Sequence, residues 1–254
     1  MSNGCAWVLR KWGHAVSITK TSSQGETLMC GRMAVTMPPD AMAQLFAAAP
    51  DNVMPQLPNY NVCPTNDVPI VTGDGQGGRR LRAMRWGFIP RWYKKLNGGP
   101  LLINARAETL AEKPAFRDAA RTRRGLVPAT GFYEWTKAAD EGRDPWYIER
   151  TDGGVLALAA VWQDWQAPEG EVLSTCAIVT TCANASMQAI HHRMPVILEP
   201  DAWALWLGEQ GKGAATLMTA APDDLLQWHR VDRAVNSNRA SGSALIQPLA
   251  SDAR

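Results

Sequence analysis

WYIERTDGGVLALAAVWQDWQAPEGEVLSTCAIVTT, residues 146–181, is the stretch on which the fold turns. It holds three apolar runs, WYIER (146–150), VLALAAVW (155–162) and STCAIVTT (174–181), separated by Gly- and Pro-containing turns, and each reads as a strand. Working outward, VPIVT (68–72), RLRAMRWGF (80–88) and LLINARAE (101–108) read the same way. Helical signals are fewer. A segment near 39–48 enters through prolines and stops at Pro50, 113–123 and 222–229 begin near a proline, and 199–208 ends on Gly208. Strands outnumber helices and do not alternate with them, which argues against a doubly wound sheet. The expected fold is α+β: a mostly antiparallel, barrel-like β-sheet core with peripheral helices.

A chain of 254 residues with 46% hydrophobic content buries a core without help from disulfides or metal. Five cysteines, Cys5, Cys30, Cys63, Cys176 and Cys182, lack C-x-x-C spacing, and four histidines complete no finger pattern, so neither a disulfide framework nor a metal site is expected. Cys63, Cys176 and Cys182 are assigned to core packing. Residues 1–28 carry no apolar run typical of a signal peptide, and no stretch is long and apolar enough to span a bilayer. These features predict a soluble, cytoplasmic monomer with one domain over 29–254, preceded by a disordered leader or a misplaced start over 1–28.

Charge is segregated. Residues 79–124 hold thirteen Arg and Lys against three acids, a local +10 in a chain of net charge +2. Such a segment suits a polyanion, because phosphate neutralisation dominates non-specific nucleic-acid affinity. A solvated, salt-bridged surface is the alternative.

Six motifs carry candidate chemistry or strand binding. GETLMCGRMAVTMPPD (25–40) embeds what looks like a chain start at Met29. Inside a chain, Cys30 is either a small buried hydrophobe or a nucleophile. As an N-terminal residue it is a 1,2-aminothiol, whose amine has a pKa near ~8 and attacks aldehydes, after which the thiol closes a thiazolidine. In INARAET (103–109), Asn104, Arg106 and Glu108 alternate and on a strand would share one face, either an oxyanion or phosphate site or a plain polar surface. In GLVPATGFYEWTK (125–137), Glu134 is flanked by Tyr133 and Trp135. It either points to solvent or is desolvated toward general acid/base use. AIHHRMPVIL (189–198) places His191 and His192 on opposite faces if extended, so one of them at most enters a site. YNVCPTNDVPIV (60–71) and MRWGFIPRW (84–92) combine Pro, Trp and Arg in turns, which suits an unstacked or single strand.

In order along the chain, MCGR (29–32), YNVCPTN (60–66), MRWGFIPRW (84–92), INARAET (103–109), LVPATGFYEW (126–135) and IHHRMPVIL (190–198), with a weaker VNSNRASGSALIQPL (235–249), resemble the SRAP family. These are the SOS-response-associated peptidases regarded as abasic-site processing proteins. The resemblance implies the SRAP fold, no cofactor, and single-stranded DNA containing abasic sites as partner. It implies that Cys30, exposed by loss of Met29, forms a thiazolidine with the ring-opened abasic sugar, and that Asn104, Glu134 and His191 complete the active site. It implies phosphate binding by Arg32 and Arg106, with Trp86, Arg85 beside it, and the Pro64-Thr65-Asn66 turn holding DNA near the lesion. The chain departs from the family in its 28-residue leader and in His192, where an acidic residue is expected. An N-terminal-nucleophile cysteine peptidase that removes its own leader is a second reading, and a plain single-strand-binding module a third.

Overall fold

A computed structural model describes residues 31–250. In chain order its strands and helices are β1 (Met33–Val35), α1 (Pro39–Leu45), β2 (Ala48–Pro50), β3 (Asn59–Val62), β4 (Asp67–Gly73), β5 (Arg79–Trp86) and β6 (Asn104–Arg106). There follow α2 (Arg117–Thr122), β7 (Arg124–Ala129), β8 (Gly131–Lys137), β9 (Arg143–Arg150), β10 (Leu156–Gln166), β11 (Val172–Cys182), β12 (Arg193–Pro195), α3 (Pro200–Leu207) and β13 (Leu226–Arg230).

The order β11-β10-β7-β4-β5 is antiparallel throughout. It closes on itself where β5 meets β11 in parallel, Arg85 opposite Thr175 and Trp86 opposite Cys176. A five-stranded barrel results, with β12 and β6 added along β11 and β2 along β5. The continuous apolar run of β10 has its cause here, since Leu156 through Val161 are all buried, one face toward the barrel and the other under its cover. Beyond Trp162 the strand alternates buried Gln163 and Trp165 with exposed Asp164 and Gln166.

A second, antiparallel sheet runs β13-β9-β8-β1-β3. The chain passes from barrel to second sheet at Thr130, between β7 and β8. Its amide donates to the Ala34 carbonyl at 2.8 Å, and its hydroxyl accepts from the Thr36 amide at 3.0 Å. α3 covers the barrel through Trp206, whose indole N–H donates to the Gly125 carbonyl, and Trp203, stacked on Phe46 just past α1 with ring centroids 4.3 Å apart. Gly208 ends α3 at φ 87, the left-handed turn expected of it.

The predicted helix over 222–229 is a strand instead. β13 pairs with the outer edge of β9 from Leu226 opposite Arg150 to Arg230 opposite Trp146, and the unsatisfied edge of β9 outweighs the local helical signal. The strand predicted over 101–108 shortens to β6, because Ala107–Thr109 forms a 3₁₀ turn that removes Glu108 from the alternation. No helix among the described residues is long and apolar enough to cross a membrane.

Candidate active site

The site begins at the start of β1. The Tyr133 amide donates to the Arg32 carbonyl at 3.0 Å, just ahead of the pairing of Met33 with Phe132 and Ala34 with Gly131. Carrying that register one residue further sets Gly31 across from Glu134. On its other side Gly31 faces Ile103, since a Cβ built on it would lie 3.7 Å from Ile103 Cδ1. Residues 1–30, Cys30 among them, lie outside the described residues; Gly31 itself sits between the strand bearing Glu134 and the residue preceding Asn104.

Glu134 is 2% exposed. Taken alone, its strand position favours solvent. The second sheet decides otherwise by packing both faces of β8 as far as Glu134.

Asn104 and Arg106 sit on β6 with Ala105 buried between them, so the expected common face exists for these two. Their placement is secured upstream. The Ile103 carbonyl accepts both the Trp86 indole N–H and the Ile178 amide, each at 3.0 Å. Trp86 is itself wholly buried, its indole engaged with the Ile103 carbonyl just ahead of Asn104. The Pro64-Thr65-Asn66 turn is tied to the same point, Thr65 N–H donating to the Trp86 carbonyl at 2.7 Å and Trp86 N–H to the Asn66 carbonyl at 2.9 Å. Thr65 and Asn66 are exposed there. Arg85 is half-buried and donates to the Gly87 carbonyl at 3.0 Å.

Arg32 is not at the surface. It is buried, and its guanidinium donates to Asn61 Oδ1 at 2.6 Å, the Val235 carbonyl at 2.7 Å and Asn238 Oδ1 at 2.6 Å, with Trp135 under it at 5.8 Å. Those acceptors are neutral, and the cation is held by geometry that phosphate binding would have to break. Asn61 extends the clip by donating to the Ser237 and Ala240 carbonyls. Sequence reasoning did not find Asn61 and Asn238 as Arg32's partners, although both lie in quoted motifs.

His191 is buried and His192 exposed, yet the backbone bends between them and their rings lie 4.3 Å apart instead of on opposite faces. Burial holds the His191 imidazole below its ordinary pKa, and the neighbouring His192 adds to this. The Arg193 amide donates to His191 Nδ1 at 3.1 Å, which puts the proton of the neutral ring on Nε2. Arg193 in turn grips Glu108 with two bonds, 2.7 and 3.0 Å, and the Thr180 carbonyl at 2.7 Å. Burial, the largest single influence, pulls the Glu108 carboxyl upward, but the Arg193 hydrogen bonds and charge, its own backbone amide and Cys182 together outweigh it and hold the pKa below the usual value. Cys182, assigned from sequence to the core, is half-exposed beside this pair, 3.7 Å from Glu108 Oε1. Cys63 and Cys176 are buried as expected. No group of three or more His, Cys, Asp or Glu side chains among the described residues is arranged to hold a metal ion.

The +10 segment divides. Arg79 pairs with Glu209, Arg82 with Asp51, and Arg124 donates to carbonyls at the ends of α2 and α3, so these serve the fold. Arg80, Arg91, Lys94, Lys95, Arg106, Lys113, Arg117 and Arg121 remain exposed.

A sequence profile described as SOS response associated peptidase (SRAP) matches residues 29–238. The chain belongs to the SRAP family. Among its relatives, YoqW of Bacillus subtilis is 35% identical over 86% of this chain and 99% of its own length. YedK of Escherichia coli is 31% identical over 87% and 100%. Both are named abasic site processing proteins. A crystal structure of a Bacteroides thetaiotaomicron protein, 24% identical, superposes with a TM-score of 0.76 over 87% of this chain and 100% of that one, a likeness of fold. The SRAP match ends on Asn238, the residue that closes the Arg32 clip.

Proposed function

We propose that this SRAP protein processes abasic sites by trapping them covalently in single-stranded DNA, with Cys30 as the N-terminal residue. The α-amine adds to the C1 aldehyde of the ring-opened sugar and water leaves to give an imine. The thiol sulfur then adds to the imine carbon as its proton passes to nitrogen, closing a five-membered thiazolidine. Glu134 moves protons in dehydration and closure, and neutral His191 serves the sugar hydroxyls during ring opening. Asn104 and Arg106 position the sugar and its phosphate, with Arg85 and the Pro64-Thr65-Asn66 turn along the strand. Arg32 contributes by fixing the chain two residues from the nucleophile.

What carries this reading is the Tyr133 to Arg32 backbone bond, which directs the residues after Cys30 between Glu134 and Ile103. It is tested by incubating protein that begins at Cys30 with an abasic single-stranded oligonucleotide and running denaturing gels and intact mass. The expected product is a heat-stable adduct with the mass of protein plus DNA minus water. A Cys30→Ser variant forming the same adduct at the same yield overturns it.

The family's description as a peptidase supports a second reading, in which the Cys30 thiol attacks an amide, with Glu134 or His191 as the base, and removes residues 1–29. Retention of those residues in a Glu134→Ala variant, by intact mass, favours self-cleavage. Unchanged processing removes it.

A further inference from the structure

His191 and His192 adjoin in sequence but receive opposite environments. The chain leaves the 3₁₀ turn Met187–Ala189 with the His191 amide donating to the Met187 carbonyl at 2.9 Å, and the His192 carbonyl accepts from the Ala183 amide at 3.0 Å before β12 begins. This bend lays the two rings over one another, centroids 4.3 Å apart and planes 31° from parallel, the first ring buried and the second in water. Charging both at that separation sets two like charges in contact. The other ionisable groups around the pair have work of their own. Arg193 is locked to Glu108 on the 3₁₀ turn after β6, with Cys182 of β11 beside them, and Asp223 accepts from the Ser186 amide at 3.1 Å. Arg106 lies on β6 opposite Thr180, and Glu134 is buried on β8. After burial, His192 is the strongest influence on the charge of His191, ahead of Arg193.

We infer that His192 is a positioning residue for the abasic-site reaction: in mildly acid solution it holds the one proton the stacked pair accommodates, and so keeps the buried His191 ring neutral and in place. The exposed ring gains its charge without leaving water, whereas the buried ring would lose solvation on charging. Neutrality matters to geometry as well as to chemistry. His191 Nδ1 accepts the Arg193 amide at 3.1 Å, and a second proton on this ring has only Nδ1 to enter, which displaces that bond and frees the ring to turn. The proton comes from solvent and stays on His192; no bond to DNA is made. The inference rests on the proposed use of neutral His191 in ring opening.

The test uses His192→Lys, His192→Gln and His192→Asp in protein that begins at Cys30. Lysine keeps a positive charge at this position, glutamine removes it and aspartate reverses it. Adduct formation on an abasic single-stranded oligonucleotide is timed by single-turnover gels from pH 5 to pH 8, and the His191 ring is titrated by NMR without DNA. Protonation of the Cys30 amine slows every protein alike and cancels in the ratio to the parent. The rates converge toward pH 8. At pH 5 the lysine variant follows the parent, the glutamine variant falls below it and the aspartate variant falls furthest, by about three- to tenfold. The His191 titration midpoint rises in the same order. Identical midpoints in all four proteins, ordered midpoints with superimposable rate ratios, or a loss by the same factor at every pH overturns the inference. A parent that forms no adduct at any pH refutes the trapping reading instead, and the NMR order then decides the coupling of the two rings by itself.

Discussion

Tyr133 donates its backbone N–H to the carbonyl of Arg32 at 3.0 Å, and this bond joins the two halves of the site. Tyr133 precedes Glu134 on β8, and Arg32 follows Gly31, so one strand pairing sets the acid and Gly31 side by side. Two residues distant by about a hundred positions in sequence become neighbours through the antiparallel register of β1 and β8.

Glu134 is buried and keeps its shape on conversion to the amide. Glu134→Gln slows adduct formation by about 10²–10⁴-fold at saturating DNA, the range for loss of a positioned general acid/base, while the melting temperature stays near that of the parent. Single-turnover gels measure the rate. A rate within threefold of the parent removes Glu134 from the chemistry.

Arg32→Ala removes three hydrogen bonds from a buried cation and strands the side-chain oxygens of Asn61 and Asn238. The expected cost is about 3 kcal/mol, a fall in melting temperature of roughly 6–12 °C for a chain of this size. Arg32→Lys recovers only part of it, because an ammonium cannot span three divergent acceptors. A melting temperature unchanged in Arg32→Ala contradicts the clip.

His191 lies below its ordinary pKa in the folded protein, through burial first and His192 second. The unfolded chain therefore takes up this proton at higher pH than the folded one. The stability associated with His191 is complete above about pH 6.5 and is lost as pH falls through the lower folded value. Urea unfolding at pH 7.5 and pH 5 shows the decline, and His191→Gln flattens it. NMR titration locates the neutral ring's proton on Nε2; a proton on Nδ1 contradicts the bond from the Arg193 amide.

Gly131 opens β8, and a Cβ there would come within 2.4 Å of Tyr147 Cζ and 2.6 Å of the Ile148 carbonyl oxygen. The second contact is with backbone and cannot be relieved by a rotamer change. Gly131→Ala destabilises by about 3 kcal/mol, read by urea unfolding, and slows adduct formation by shifting the strand that carries Glu134. An unperturbed variant shows that β8 is not packed against β9 in this way.

Much of the barrel was legible locally. Runs such as VLALAAVW and STCAIVTT are apolar on both faces, and a strand in β10 or β11 needs that wherever it is covered on both sides. Gly208 closes α3 for a reason written in its own residue type. The segment 222–229 misled because its local composition suits a helix, whereas the edge of β9, far off in sequence, supplies the hydrogen bonds that make it a strand.

By itself, the order of motifs determined the family, the mixed sheet-and-helix class and the residues to watch. Only tertiary structure decided their surroundings. Glu134 went inside and Arg32 left the surface for neutral acceptors in Asn61 and the 235–238 turn. Trp86 became a support for Ile103, and Arg79, Arg82 and Arg124 of the basic segment turned to structural work. Burial and partnership are set by which distant strands and turns close over a residue. Strand alternation specifies two faces but not which of them will be covered, so those outcomes had no local signature to read.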